Sequence, residues 1–273
     1  MTRSLKRQIS NQIIHGKGHC TNIKISKREL KTLRNIVESH LNKKINENLK
    51  EGVRQKKINL EKLHLLTNKV DYKNFISQKN RILNINNYKK IIKLHFYKKI
   101  KKIFGPFKQV SNGPFAQSFG QFVVRVVRPG AYKSDIGSLH ADIWFFLLNK
   151  KKKYYPKLKE NERNIKFWIP ICLEKNKSGL LVSENSQKES FNFKGQLYAK
   201  KKGLKKKNET KGHLRPIFDY KNNPKPKLKL LNINPGTVVI FTEKLLHGGT
   251  NLKASKTRVS LEFSIIIKKQ NLS

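Results

Sequence analysis

The chain has 273 residues, enough for one large domain with a buried core, and 37% of them are hydrophobic. Its 61 Lys and Arg against 17 Asp and Glu give a formal net charge of +44, and its two cysteines lie far apart. That excludes a disulfide framework and a Cys-x-x-Cys zinc site, and it predicts attraction to phosphate, acidic sugars, acidic carrier proteins or anionic membrane surfaces.

Two readings of the charge stay open: compositional drift, since Lys, Asn and Ile are abundant together, and a functional demand, since drift does not easily explain the shortage of acids. Cys20 and Cys172 fit a reducing cytoplasm. Cys172 lies in an apolar run and reads as a core residue. Met1 to Gly16 is basic without a long apolar stretch, so no secretory signal is expected there. No segment approaches the ~20 apolar residues of a membrane span, and peripheral contact through lysines is the remaining membrane reading. The expected location is cytoplasmic.

Residues 1–105 read as mostly helical. Ser26-Lys27-Arg28-Glu29 is a capping box, in which hydroxyl and carboxylate cover orphan backbone donors. Leu30, Leu33, Ile36, Val37, Leu41 and Ile45 follow at helical spacing. A second helical stretch carries Ile91, Ile92, Leu94, Phe96, Ile100 and Ile103 between lysines; it resembles a basic amphipathic helix, and an ordinary helix packed on a sheet with its lysines in water is the favoured reading.

From about residue 106 the period changes. Gln121 to Arg128 is β-branched and ends at Pro129-Gly130, a strand and a turn. Arg125, Arg128, Tyr132 and Lys133 precede the next run and are candidates for the entrance of a site, though solvation at the surface explains each as well. Leu139 to Leu148 is strand-like, as are Phe167–Leu173, Gly179–Val182, Gly236–Phe241 and Val259–Ile267. Helices first and strands later predict an α+β fold, helices outside an antiparallel core. Lysine-rich stretches at Lys150–Lys153, Lys200–Lys207 and Lys221–Lys229 interrupt this half. The last two fall in a weakly periodic insert, about 183–228, of the kind that forms loops or lids.

His140-Ala141-Asp142 carries the first chemical signal. On a strand, residues i and i+2 share a face, so an imidazole and a carboxylate point the same way. His247 is the best third ligand, and Gly248-Gly249 behind it permit close backbone approach. Two histidines and one carboxylate suit a mononuclear Fe(II) centre with open positions, whereas a structural zinc site would need a fourth ligand. Arg258 can grip a carboxylate in two parallel hydrogen bonds, and Ser260 at i+2 can add a third.

His-x-Asp, a distant His and Arg-x-Ser together resemble the 2-oxoglutarate/Fe(II) dioxygenases, within them the phytanoyl-CoA dioxygenase-like group. Leu139-His140-Ala141-Asp142 resembles that group's first motif. Pro235–Phe241 leading to Leu246-His247-Gly248 resembles the strand before its distal histidine. Phe167–Pro170, Ser178–Val182 and Ser186-Gln187-Lys188 resemble the segment ending in its "Gly-x-Leu…Ser-His-Lys" turn. Gln187 stands where the family often has a histidine, which leaves that turn's role open. The resemblance covers about residues 120–267 and the N-terminal part only loosely.

It implies a double-stranded β-helix (jelly-roll, cupin-like) core over 106–273, flanked by a helical region over 1–105. It implies Fe(II), 2-oxoglutarate as cosubstrate and O2. By position, His140, Asp142 and His247 would hold the metal, and Arg258 with Ser260 the distal carboxylate of 2-oxoglutarate. Trp168 aligns with a residue lining the cosubstrate pocket; a plain core tryptophan is the other reading. A carboxylate at Asp142 matches the hydroxylases and not the halogenating relatives. The charge favours an anionic substrate: a small metabolite, or one linked to CoA, a nucleotide or a carrier protein. A basic nucleic-acid-binding protein and a non-catalytic family member are the alternatives. The nucleic-acid dealkylating oxygenases carry a second arginine six residues after the first, and that position is Ser264.

Overall fold

The computed structural model describes residues 2–53, 58–111, 115–130, 135–151, 155, 157–197, 214–251 and 253–272. The strands are β1 (His19–Lys24), β2 (Lys108–Gln109), β3 (Val123–Val127), β4 (Glu162–Cys172), β5 (Gly179–Val182), β6 (Phe193–Leu197), β7 (Leu214–Phe218), β8 (Lys229–Leu230), β9 (Thr237–Thr242), β10 (His247–Thr250) and β11 (Arg258–Lys268). The α-helices are α1 (Thr2–Ser10), α2 (Lys27–Asn46), the one-turn α3 (Tyr72–Phe75) and α4 (Gln78–Arg81), α5 (Ile85–Ile92), α6 (His95–Phe104) and α7 (Asp142–Leu148).

An antiparallel sheet runs β1-β9-β4-β11-β2, with β3 paired to β11. Alternation along its long strands decides what each face does. Val259, Leu261, Phe263, Ile265 and Ile267 of β11 join Ile165, Phe167 and Ile169 of β4 and Val238 and Ile240 of β9 in one core. Leu33, Val37 and Leu41 of α2 and Phe96, Ile100 and Ile103 of α6 close that core from outside. The opposite face carries Arg258, Ser260 and Glu262 of β11 and Trp168 of β4, every one buried. There Trp168, Val239 and Phe241 pack on Leu180 and Val182 of β5 and on Leu231, Ile233 and Leu245. A second antiparallel sheet, β10-β5-β8, thus lies over this face. The architecture is α+β, with helices outside and antiparallel sheets within.

The capping box forms: Ser26 Oγ accepts from the Glu29 amide at 3.3 Å and donates to Glu29 Oε2 at 2.9 Å. Glu29 Oε1 also accepts from the Phe96 amide at 3.0 Å, so one carboxylate ties α2 to the start of α6. Four local expectations are corrected. Residues 19–24, within the helical stretch, form β1 and pair with β9; His-Cys-Thr-Asn-Ile-Lys is too short and polar to betray a strand without its partner. The stretch from Ile91 to Ile103 is two helices broken at Leu94, whose ψ of 149° is extended. Leu139–Leu148 is not a strand: Ala141 is extended and Asp142 starts α7. Its run Ile143-Trp144-Phe145-Phe146-Leu147-Leu148 is apolar throughout, so periodicity could not separate helix from strand. The insert contains a hairpin, β6 paired with β7, and Trp144 of α7 stacks on Phe193 of β6 with centroids 4.8 Å apart. Lys200–Lys207 and the pair Tyr132 and Lys133 lie outside the described residues.

Candidate metal centre

His140 and His247 meet through their backbones before their side chains are considered. The His140 amide donates to the His247 carbonyl at 3.0 Å and the His247 amide to the His140 carbonyl at 2.9 Å. This two-bond antiparallel bridge sets the two rings beside each other, with centroids 4.5 Å apart. The Nδ1 of His140 lies 2.6 Å from the Ser138 carbonyl, and that of His247 2.9 Å from the Leu245 carbonyl. A carbonyl only accepts, so each Nδ1 donates and each Nε2 keeps its lone pair for the centre. Phe145 packs edge-on to His140, and Phe241 packs on His247.

Asp142 reaches the same point from the first turn of α7. Its Oδ1 lies 3.6 Å from His140 Nε2 and 3.9 Å from His247 Nε2. The chain turns from extended to helical between His140 and Asp142, and the carbonyl of Glu243 accepts from the amide of Ile143 at 2.8 Å to hold that start. One ligand atom from each of the three residues lies within 4.8 Å of the others, and no fourth residue joins the group among the described residues. Burial pushes the imidazolium of His247 down to about 4, helped by the neighbouring His140, so the ring is neutral at neutral pH. Burial opposes ionisation of Asp142, but Lys166 and the two histidines hold it well below the usual carboxylate range. Two imidazole nitrogens and one carboxylate oxygen with no fourth protein ligand among the described residues suit a first-row divalent ion.

Arg258 and Ser260 lie on the sheet face opposite the helical core. Both are buried, and Arg258 Nε and Ser260 Oγ have no hydrogen-bond partner among the described residues. Arg258 Nη1 donates to the Gly179 carbonyl. Its guanidinium carbon sits 5.7 Å from the centroid of the Trp168 ring. Burial lowers its pKa to about 10, which still leaves it charged. A buried cation with an idle N–H beside an idle hydroxyl is costly unless an anion joins it, and a carboxylate satisfies both. Gly249 makes room for this: a Cβ there would lie 2.8 Å from Arg258 Nη2. Trp168, 2% exposed, belongs to the core between the sheets and also borders this guanidinium.

Sequence reasoning missed Glu262 and Lys166. Lys166 Nζ lies 3.4 Å and Arg125 Nε 3.3 Å from the same oxygen, Glu262 Oε2. Burial works against the charge on Glu262, yet Arg125 and Lys166 lower its pKa to about 2. Position i+4 from Arg258 on β11 was the available signal, since it shares the face of Arg258 and Ser260. Arg125 thus stands beside Glu262 with its own side chain 39% exposed. Arg128 does not line an entrance: it is buried, forked onto Asp135 at 2.7 and 3.0 Å, with Tyr72 beneath its guanidinium. Gln187 donates to the carbonyls of Ile14 and Gly16 at 3.3 and 2.9 Å, so at that turn it fastens the N-terminal segment.

No protein-family model matches the sequence, and no curated protein matches it. Solved structures do. A non-heme alpha ketoglutarate dependent carbocyclase, SnoK from nogalamycin biosynthesis, is similar with a TM-score of 0.52 and 10% identity, over 97% of this chain and 85% of that one. EctD from S. alaskensis, solved with 2-oxoglutarate and 5-hydroxyectoine, gives 0.51 and 13% over 97% and 76%. EvdO2 from Micromonospora carbonacea var. aurantiaca, complexed with 2-oxoglutarate, gives 0.50 and 10% over 95% and 90%. At these identities the likeness is one of fold, and the chain therefore shares its fold with non-heme, 2-oxoglutarate-dependent enzymes.

Proposed function

We propose that this chain is an Fe(II)/2-oxoglutarate-dependent oxygenase of the phytanoyl-CoA dioxygenase-like group. In this reading it hydroxylates an anionic metabolite, either small or linked to CoA, a nucleotide or a carrier, on a double-stranded β-helix core. The reading rests on two sets of side chains that this chain brings to the same side of its main sheet. His140, Asp142 and His247 converge to within 4.8 Å, and the idle donors Arg258 Nε and Ser260 Oγ lie on the adjacent sheet face.

The roles follow from the donor atoms. His140 and His247 present Nε2, and Asp142 one carboxylate oxygen, to one side of the ion. Arg258 and Ser260 receive the distal carboxylate of 2-oxoglutarate, with Trp168 walling that end. When bound, iron and 2-oxoglutarate supply a dioxygen-dependent oxidation coupled to decarboxylation of the cosubstrate. Phe241, fully buried and packed on the His247 ring, keeps bulk water from that side of the centre.

The test measures bound metal and succinate release. Wild type is expected to take up about one Fe(II) per chain and to release succinate from 2-oxoglutarate. His140→Ala, Asp142→Ala and His247→Ala are each expected to lower metal affinity at least ~100-fold while cooperative unfolding persists, because each removes a direct ligand. Metal retained at wild-type affinity by His140→Ala removes the reading.

A further inference from the structure

Beside the metal group stands a lysine that these roles leave unused. Lys166 stands on β4 beside Phe241 of β9, and the Phe241 ring packs on His247 at 4.6 Å. Its side chain is 19% exposed, and it is close enough to act electrostatically on both Asp142 and His247. An ammonium has three donors. Among the described residues its ion-pair contact is Glu262 Oε2 at 3.4 Å, an oxygen that Arg125 already takes at 3.3 Å. Lys166 is therefore held near the metal ligands with donors to spare.

Charge counting says what it waits for. Lys166 and Arg125 balance Glu262 and Asp142, so a divalent ion would leave this end of the pocket with two surplus positive charges. Like charges at short range in a low dielectric repel strongly. A lysine here weakens metal binding unless an anion comes to rest against both. Arg258 and Ser260 accept the distal carboxylate at the other end of the pocket, on the reading proposed above. We infer that Lys166 receives the carboxylate next to the 2-oxo group, so that the cosubstrate is gripped by a protein cation at each end.

The same chemistry could instead come from an anionic group on the substrate, and the two sources separate experimentally. The full chain is loaded with Mn(II), and binding of 2-oxoglutarate and of pyruvate is followed by calorimetry. Pyruvate keeps the 2-oxo carboxylate and lacks the distal one. Lys166→Met is expected to weaken both ligands roughly tenfold to a hundredfold, the worth of a charge-assisted hydrogen bond, while Mn(II) binds as tightly as in wild type or more tightly. Lys166→Arg restores most of the affinity. Arg258→Met is expected to weaken 2-oxoglutarate and leave pyruvate unchanged.

Unchanged affinity for both ligands in Lys166→Met overturns the inference and gives the lysine to the substrate. Weakened Mn(II) binding in that variant overturns it too, because a merely structural role lowers metal and ligand affinity together. Lys166→Gln carries the same comparison should the methionine variant fail to unfold cooperatively. If Arg258→Met leaves 2-oxoglutarate binding intact, the distal clamp fails while the result at Lys166 stands by itself. Absence of 2-oxoglutarate binding in the wild type sinks both.

Discussion

Single residues set the chemistry here through what their neighbours leave undone. The backbone carbonyls of Ser138 and Leu245 use up Nδ1 on each histidine, so Nε2 is the atom left for a metal. Gly249 gives a similar lesson. Its missing Cβ lets the Arg258 guanidinium approach β10, and a methyl group would meet Nη2 at 2.8 Å and Nη1 at 3.3 Å. That guanidinium is the far end of a flexible side chain, so it can yield without breaking the fold. Gly249→Ala is therefore expected to unfold within a few degrees of wild type and to keep its metal. Its affinity for 2-oxoglutarate should fall about tenfold, the loss of one charge-assisted hydrogen bond, as read by calorimetry. Unchanged affinity would mean that Arg258 does not act on the cosubstrate through this face.

At the scale of elements, the turn Ser186–Lys188 decides where β10 begins. Ser186 Oγ accepts from the Leu246 amide at 2.9 Å and donates to the Ser183 carbonyl at 2.6 Å. Leu246 is fully buried, so no water can replace that acceptor, and the residue after it is His247. Ser186→Ala is expected to cost about 1–3 kcal/mol by stranding a buried amide. Metal affinity should fall along with the thermal midpoint, because the same bond positions His247. A lower midpoint with unchanged metal affinity would confine the turn to a structural role. Strand β5 before it was legible as an apolar run, but β6 after it and the seryl hydroxyl were not, since the partner of that hydroxyl is sixty residues away. Helix α7 was misread for a related reason: nothing local in Ile143–Leu148 distinguishes a helix on a hairpin from a buried strand.

Over the whole molecule, one sheet stands between the helical layer and the site. The lysine-rich helices α5 and α6 pack on the face that holds the apolar core, and the metal group lies on the other. The +44 charge sets a general field around the protein. The local balance in the pocket comes from Arg125, Lys166 and Arg258 against Asp142 and Glu262. A site built from β10, β11 and α7 exists only in the folded chain, so ligands that fill it stabilise the whole fold by mass action. Mn(II) with 2-oxoglutarate at about a hundred times its dissociation constant should add about 2.7 kcal/mol and raise the unfolding midpoint by a few degrees. Chelation should reverse the gain, and a midpoint indifferent to both would argue against a site made by folding.

Residue order along the chain was enough to name the kinds of atoms available. His-x-Asp, the distal His and Arg-x-Ser named the donors, and period-two alternation in Val259–Ile267 placed Arg258 and Ser260 on one face. Those signals are local, and local spacing fixes direction. Which strands meet became visible in the folded chain alone: the bridge between His140 and His247, the helix that starts at Asp142, and the convergence of Arg125, Lys166 and Glu262 from three strands. Pairing partners far apart in the chain are selected by burial of the whole core, and no window of neighbouring residues contains that sum.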